Sequence, residues 1–150
     1  MNDQEATKLF DQLVEHIKTA PWFTEEWSVY REGNYIHIRK NNWFDDHHNG
    51  VHFETYLGKT ELEEDRFPIL LHAESDVPNR DQFVNRMIIA IKFEVPSFMC
   101  GTTEETIFEE YLPLDKETFV SDVINTLNEL QFMVPFIDMC LNEQEEKNDD

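Results

Sequence analysis

The sequence predicts an α+β domain, an antiparallel sheet of about five strands with three helices packed on one face, in the order α-β-β-β-β-α-β-α. Three observations carry this. Three segments repeat one helical stripe, with apolar residues at i, i+1, i+4, i+5 and i+8. Between the first and second of them lie strand-like runs joined by short connections, which favour antiparallel pairing. The chain has 150 residues, of which 40% are hydrophobic, with twelve Phe and three Trp. That suffices for one core and is too apolar for a disordered acidic chain.

The first helix covers residues 3–19, with Leu9, Phe10, Leu13, Val14 and Ile17 on one stripe and Pro21 beyond its end. Trp27 to Arg31 forms a strand, and Glu32-Gly33-Asn34 turns the chain into a second, Tyr35 to Lys40. Asn41 to Asn49 reads as a polar loop. Gly50 opens a third strand, Val51 to Leu57, which presents Val51, Phe53, Thr55 and Leu57 on one side. Gly58 to Asp65 reads as a charged connection, and Pro68 introduces a fourth strand, Ile69 to Glu74. Pro78-Asn79, with Gln82 three residues on, marks the start of a helix whose stripe is Phe83, Val84, Met87, Ile88 and Ile91. After a loop from Pro96 to Thr103, Thr106 to Leu112 forms the fifth strand. Asp115 caps the last helix, whose stripe is Phe119, Val120, Val123, Ile124, Leu127 and Leu130. Its continuation meets Pro135, which removes the bond to the carbonyl of Gln131 and kinks or breaks the helix. The single domain spans 1–141, and residues 142–150 are an acidic, frayed tail.

The net charge is −20. Residues 94–150 hold fifteen acids against Lys116 and Lys147, a balance of −13, and the first 93 residues carry the remaining −7. A field of that sign repels phosphates and anionic lipid, so direct nucleic-acid binding and membrane binding are not expected, and it speeds encounter with basic proteins. The first residues, Met1-Asn2-Asp3-Gln4-Glu5, lack the basic start of a signal peptide, and no window is apolar enough to span a bilayer. Cys100 and Cys140 stand far apart and read as core thiols of a cytoplasmic protein.

Two places carry ligand-type side chains. His52-Phe53-Glu54 and His72-Ala73-Glu74 each put a His beside its Glu on one strand face. If the third and fourth strands pair, one register sets His52 opposite Glu74 and Glu54 opposite His72, with His37 and Arg39 joining from the second strand. His52, Glu54, His72 and Glu74 then have the chemistry to hold zinc or to move protons. The bland expectation is cross-strand charge pairing with no metal or other cofactor. Asp45-Asp46-His47-His48 mixes N and O ligands in a loop, but adjacent residues seldom converge on one ion. No nucleophile elbow, phosphate loop or dinucleotide fingerprint is present, and Cys100 has no nearby positive charge to activate it. No catalytic residue is assigned.

The run from Phe132 to Leu141 is apolar on nearly every side, which suits either burial all round or a second protein. Phe132, Met133, Phe136 and Met139 are the partner-contact residues expected there, most simply in a homodimer.

Tyr111-Leu112-Pro113-Leu114-Asp115, leading into a long amphipathic helix, resembles the end of type III secretion chaperones and related chaperone-like domains. The resemblance implies a small, acidic, cytoplasmic α+β protein that dimerises and binds a partner chain without catalysis. It transfers no functional residue. The expected function is thus a non-enzymatic protein-binding module, chaperone-like or of the immunity-protein class, that engages another, basic protein. A metal-dependent hydrolase or nuclease on the His/Glu face and an acidic DNA mimic remain the alternatives.

Overall fold

A computed structural model describes residues 1–43, 50–98 and 105–148. The fold is α+β, built on a five-stranded antiparallel sheet: β1 (Trp27–Glu32), β2 (Tyr35–Lys40), β3 (Val51–Tyr56), β4 (Arg66–Ala73) and β5 (Thr106–Pro113). Spatial order follows chain order, β1-β2-β3-β4-β5. Gly33, at φ 59°, makes the two-residue turn between β1 and β2 possible, a conformation that costs a side-chain-bearing residue more.

Four longer helices accompany the sheet: α1 (Asp3–Lys18), α3 (Arg80–Glu94), α4 (Phe119–Glu129) and α5 (Val134–Asn148). Their inward residues, among them Leu13, Ile17, Val84, Val123 and Leu127, join Ile36, Ile38, Val51, Phe53, Ile69 and Leu71 of the sheet in one core. Phe119 stacks tilted on Phe10 and edge-on to Phe67, tying α4 to α1 and β4. The start of α1 is fixed by a capping box, in which Asn2 accepts from the backbone of Glu5 and Glu5 reaches back to the backbone of Asn2.

Two expectations change. Gly58 to Asp65 is no plain connection: Lys59–Glu64 forms the short helix α2, with Asp65 closing it at φ 53°. Leu62 is its only large apolar residue, so no stripe announces it. The last helix divides: α4 ends at Glu129, a 3-10 turn covers Leu130–Met133, and α5 restarts at Val134. Pro135 therefore sits in the first turn of a new helix, where its missing N–H deprives no internal bond. Asp138 anchors α5 by accepting from Lys40 Nζ at 2.9 Å and from Trp43 Nε1 at 2.8 Å. No helix among the described residues is long and apolar enough to cross a membrane.

Candidate functional site

With the helices on the side of Phe53 and Leu71, strand alternation turns Tyr35, His37 and Arg39 of β2, His52 and Glu54 of β3, and Leu70 and His72 of β4 to the other side. The expected register is corrected. His52 pairs with His72, and Glu54 with Leu70, two residues from the pairing that faced each His with a Glu. A two-residue slide leaves every side chain on its face, so the hydrophobic pattern alone does not choose between the registers. The observed pairing sets Phe53 against Leu71 and Val51 against Ala73 inside the core, and Thr55 Oγ1 donates to the carbonyl of Pro68 at 2.8 Å.

In this register the four side chains cluster. Glu54 Oε1 lies 3.3 Å from His52 Nε2 and reaches diagonally to His72 Nδ1 at 2.5 Å. Glu74 Oε1 is 3.7 Å from His52 Nε2 and 3.8 Å from His72 Nδ1. One ligand-type atom from each of the four residues falls within 4.8 Å of the other three. Next to this group the ladder between β4 and β5 is irregular: Leu71 pairs with Phe108 and His72 with Thr106, leaving Ile107 as an extra residue. Such a bulge re-aims neighbouring side chains, here beside His72. Glu74 is fixed just beyond β4 by its backbone N–H, which donates to the carbonyl of Gly50 at 2.9 Å.

Behind this group stands a second row. The His37 ring stacks on that of His52 with centroids 3.7 Å apart, and its Nε2 meets Tyr35 Oη in a short contact. Arg39 Nη1 approaches His37 Nδ1 at 3.4 Å. Burial, then the neighbouring His52, lowers the His37 pKa to about 3, so this ring is neutral. One hydrogen-bond polarity satisfies the row: Arg39 donates to Nδ1 of His37, Nε2–H of His37 donates to Tyr35, and the phenol turns its proton to Glu54. Burial and the Glu54 carboxylate push the Tyr35 phenol upward.

Burial alone would raise Glu54, but hydrogen bonds from His52 and His72 outweigh it and hold the carboxyl below its usual range. His72 is pulled down by burial and raised more strongly by the bond to Glu54 and the charges of Glu54 and Glu74, so its net shift is upward. The group therefore contains a buried carboxylate between two imidazoles, with His52 fully buried and His72 and Glu74 at the solvent side.

The expected partner-contact residues separate. Met133 is fully buried and belongs to the protein's own core, on the same inner side as Ile137 and Cys140. Phe136 is half-buried. Phe132 and Met139 are exposed, at 37% and 46%. A stronger apolar exposure lies on α3, where sequence reasoning did not look. This helix buries Phe83, Val84, Met87 and Ile91, yet it also exposes Ile89 at 70% and Phe93 at 84%. These two are four residues apart and share one side of the helix. The signal was present in the unbroken apolar run from Met87 to Ile91, longer than one buried stripe requires. Asp45-Asp46-His47-His48 and Cys100 lie outside the described residues, whereas Cys140 is buried.

In comparisons with known proteins, no family model, no curated protein and no solved structure matches this chain.

Proposed function

We propose that this chain is a cytoplasmic, non-enzymatic protein-binding module whose contact surface is the outer side of α3, and that a second copy of the chain is its first occupant. The observation that carries this is the exposure of Ile89 and Phe93 on a helix whose opposite side is already packed. Covering such side chains contributes about 1.5–3 kcal/mol each, which makes their exposure on a monomer costly. Charge supports the choice of occupant. Residues 80–94 carry Arg80, Arg86 and Lys92 against Asp81 and Glu94, a balance of +1 in a chain of −20. Two copies meeting at α3 feel less repulsion than they would elsewhere on the surface. The acidic surface that the dimer leaves open favours a basic protein as the further partner.

Sedimentation across a salt series tests this, using the wild type and an Ile89→Glu, Phe93→Glu variant. Both replacements lie in solvent, so the variant keeps the wild-type fold by circular dichroism. The wild type is expected to dimerise, more tightly as salt screens the remaining repulsion, and the variant to stay monomeric. A basic partner would bind with the opposite salt trend. A wild type that is monomeric at every salt concentration, or a variant that dimerises equally well, overturns the reading.

A further inference from the structure

We propose that His52, Glu54, His72 and Glu74 form a binding site for one divalent transition-metal ion of the zinc class. The site lies on the sheet face away from the helices, so it stands or falls independently of the contact surface on α3.

Two imidazole nitrogens and two carboxylate oxygens form an N2O2 set that suits a borderline-soft dication, for which no thiolate is needed. A tetrahedral ion with bonds of about 2.0–2.2 Å holds its ligand atoms about 3.3–3.6 Å apart. The separations of His52 Nε2 from Glu54 Oε1, of His52 Nε2 from Glu74 Oε1, and of His72 Nδ1 from Glu74 Oε1 are 3.3, 3.7 and 3.8 Å. The fourth, His72 Nδ1 to Glu54 Oε1, is a hydrogen bond at 2.5 Å and must open by about 1 Å to meet that tetrahedral spacing. The ion would take the place of the protons now on His52 Nε2 and His72 Nδ1. Each ring then keeps its N–H on the other nitrogen, and any excess imidazolium proton leaves to solvent.

Support around the four is already in place. Three of them stand on paired strands, and Glu74 is pinned by its backbone bond to Gly50. Tyr35 and the stacked His37 back Glu54 and His52 from β2. Such outer contacts fix ligand orientation and discriminate a built site from loose surface carboxylates. The solvent-side positions of His72 and Glu74 leave a path for entry. With four protein ligands the ion has no open position, so its role is to pin β3 to β4 rather than to activate water.

Chelator-stripped protein is titrated with Co(II) and Zn(II), read by calorimetry, by the visible absorption of tetrahedral cobalt and by thermal midpoint. One ion per chain, tetrahedral cobalt bands and a raised midpoint are expected. Changing a contact outside the ligand sphere costs about 10–100-fold in affinity, so Glu74→Gln, which removes a ligand at a part-exposed position, should weaken binding at least that much. His72→Asn should abolish the cobalt bands. A His47→Ala, His48→Ala variant is the control and should bind as the wild type does. The proposal is overturned if no stoichiometric binding occurs, if cobalt binds without tetrahedral bands, if Glu74→Gln binds unchanged, or if the His47, His48 variant loses the ion. Glu74→Gln reads the site even if His72→Asn fails to fold.

Discussion

Glu54→Gln is the sharpest perturbation of the buried polar group, because it keeps the side chain's size and removes only its charge. In the folded protein Glu54 is nearly inaccessible and takes N–H bonds from His72 at 2.5 Å and from His52 at 3.3 Å. A hydrogen bond to a charged group contributes about 1.5–3 kcal/mol, and the longer of these two contributes less than the shorter. Both imidazoles reach the same oxygen, Oε1, so the amide oxygen of Gln keeps both contacts but without the charge, and its NH2 takes the place of Oε2. The expected loss is about 2–3 kcal/mol, the difference between charge-assisted and neutral hydrogen bonds summed over the two contacts. For a chain of this size that lowers the thermal midpoint by roughly 5–10 °C. Urea unfolding at neutral pH with chelator present measures it. A cycle with His72→Ala should return a coupling of about 1 kcal/mol or more between the two residues. A variant within about 0.5 kcal/mol of wild type, the ordinary range for surface changes, would refute the view that Glu54 is held by its imidazole neighbours.

Two further outcomes follow from the packing and the titrating groups. Phe119→Ala removes a ring buried between Phe10 and Phe67 and should cost about 3–5 kcal/mol in the same urea assay, with the fold class unchanged by circular dichroism. In chelator-treated protein, stability should fall as pH drops below about 6.5, because His37 in the unfolded chain takes up a proton that the folded chain refuses down to about 3. The slope from this group reaches about 1.4 kcal/mol per pH unit. Glu54, whose folded pKa is depressed, adds a loss at still lower pH. His72 has the opposite sign: its raised pKa stabilises fully below the ordinary histidine value and is lost as pH rises through the folded one. A flat profile from pH 7 to 4 would contradict the burial of a neutral His37.

How much of this was legible depended on which period was being read. The two-residue period of β3 and β4 put His52, Glu54 and His72 on one face without any coordinates, and the helical stripes gave Leu13, Ile17, Val123 and Leu127 as core. The offset between β3 and β4 was not legible, because a slide of two residues conserves both faces, and what distinguishes the registers is local fit such as Phe53 on Leu71 and Val51 on Ala73. Helix α2 was missed since a short helix with Leu62 as its one apolar anchor has no period to detect. The run from Phe132 to Leu141 looked apolar all round when read as one helix. The 3-10 turn at Leu130–Met133 re-phases the chain, so that Met133, Ile137 and Cys140 turn inward and Phe132 and Met139 outward. On α3, attention to the residues that fitted a stripe hid Ile89 and Phe93, which did not.

The claim that α3 is a protein contact is tested most directly by a photo-crosslinking amino acid placed at position 93 of the full chain in living cells, compared with one at position 30. Phe93 on α3 is 84% exposed and Tyr30, on the sheet face of His37, is 48% exposed, so both probes reach solvent without entering the core. The account predicts a discrete adduct at twice the chain's 17.9 kDa from position 93 and none from position 30. No adduct from position 93, or the same adduct in equal yield from both positions, would contradict it.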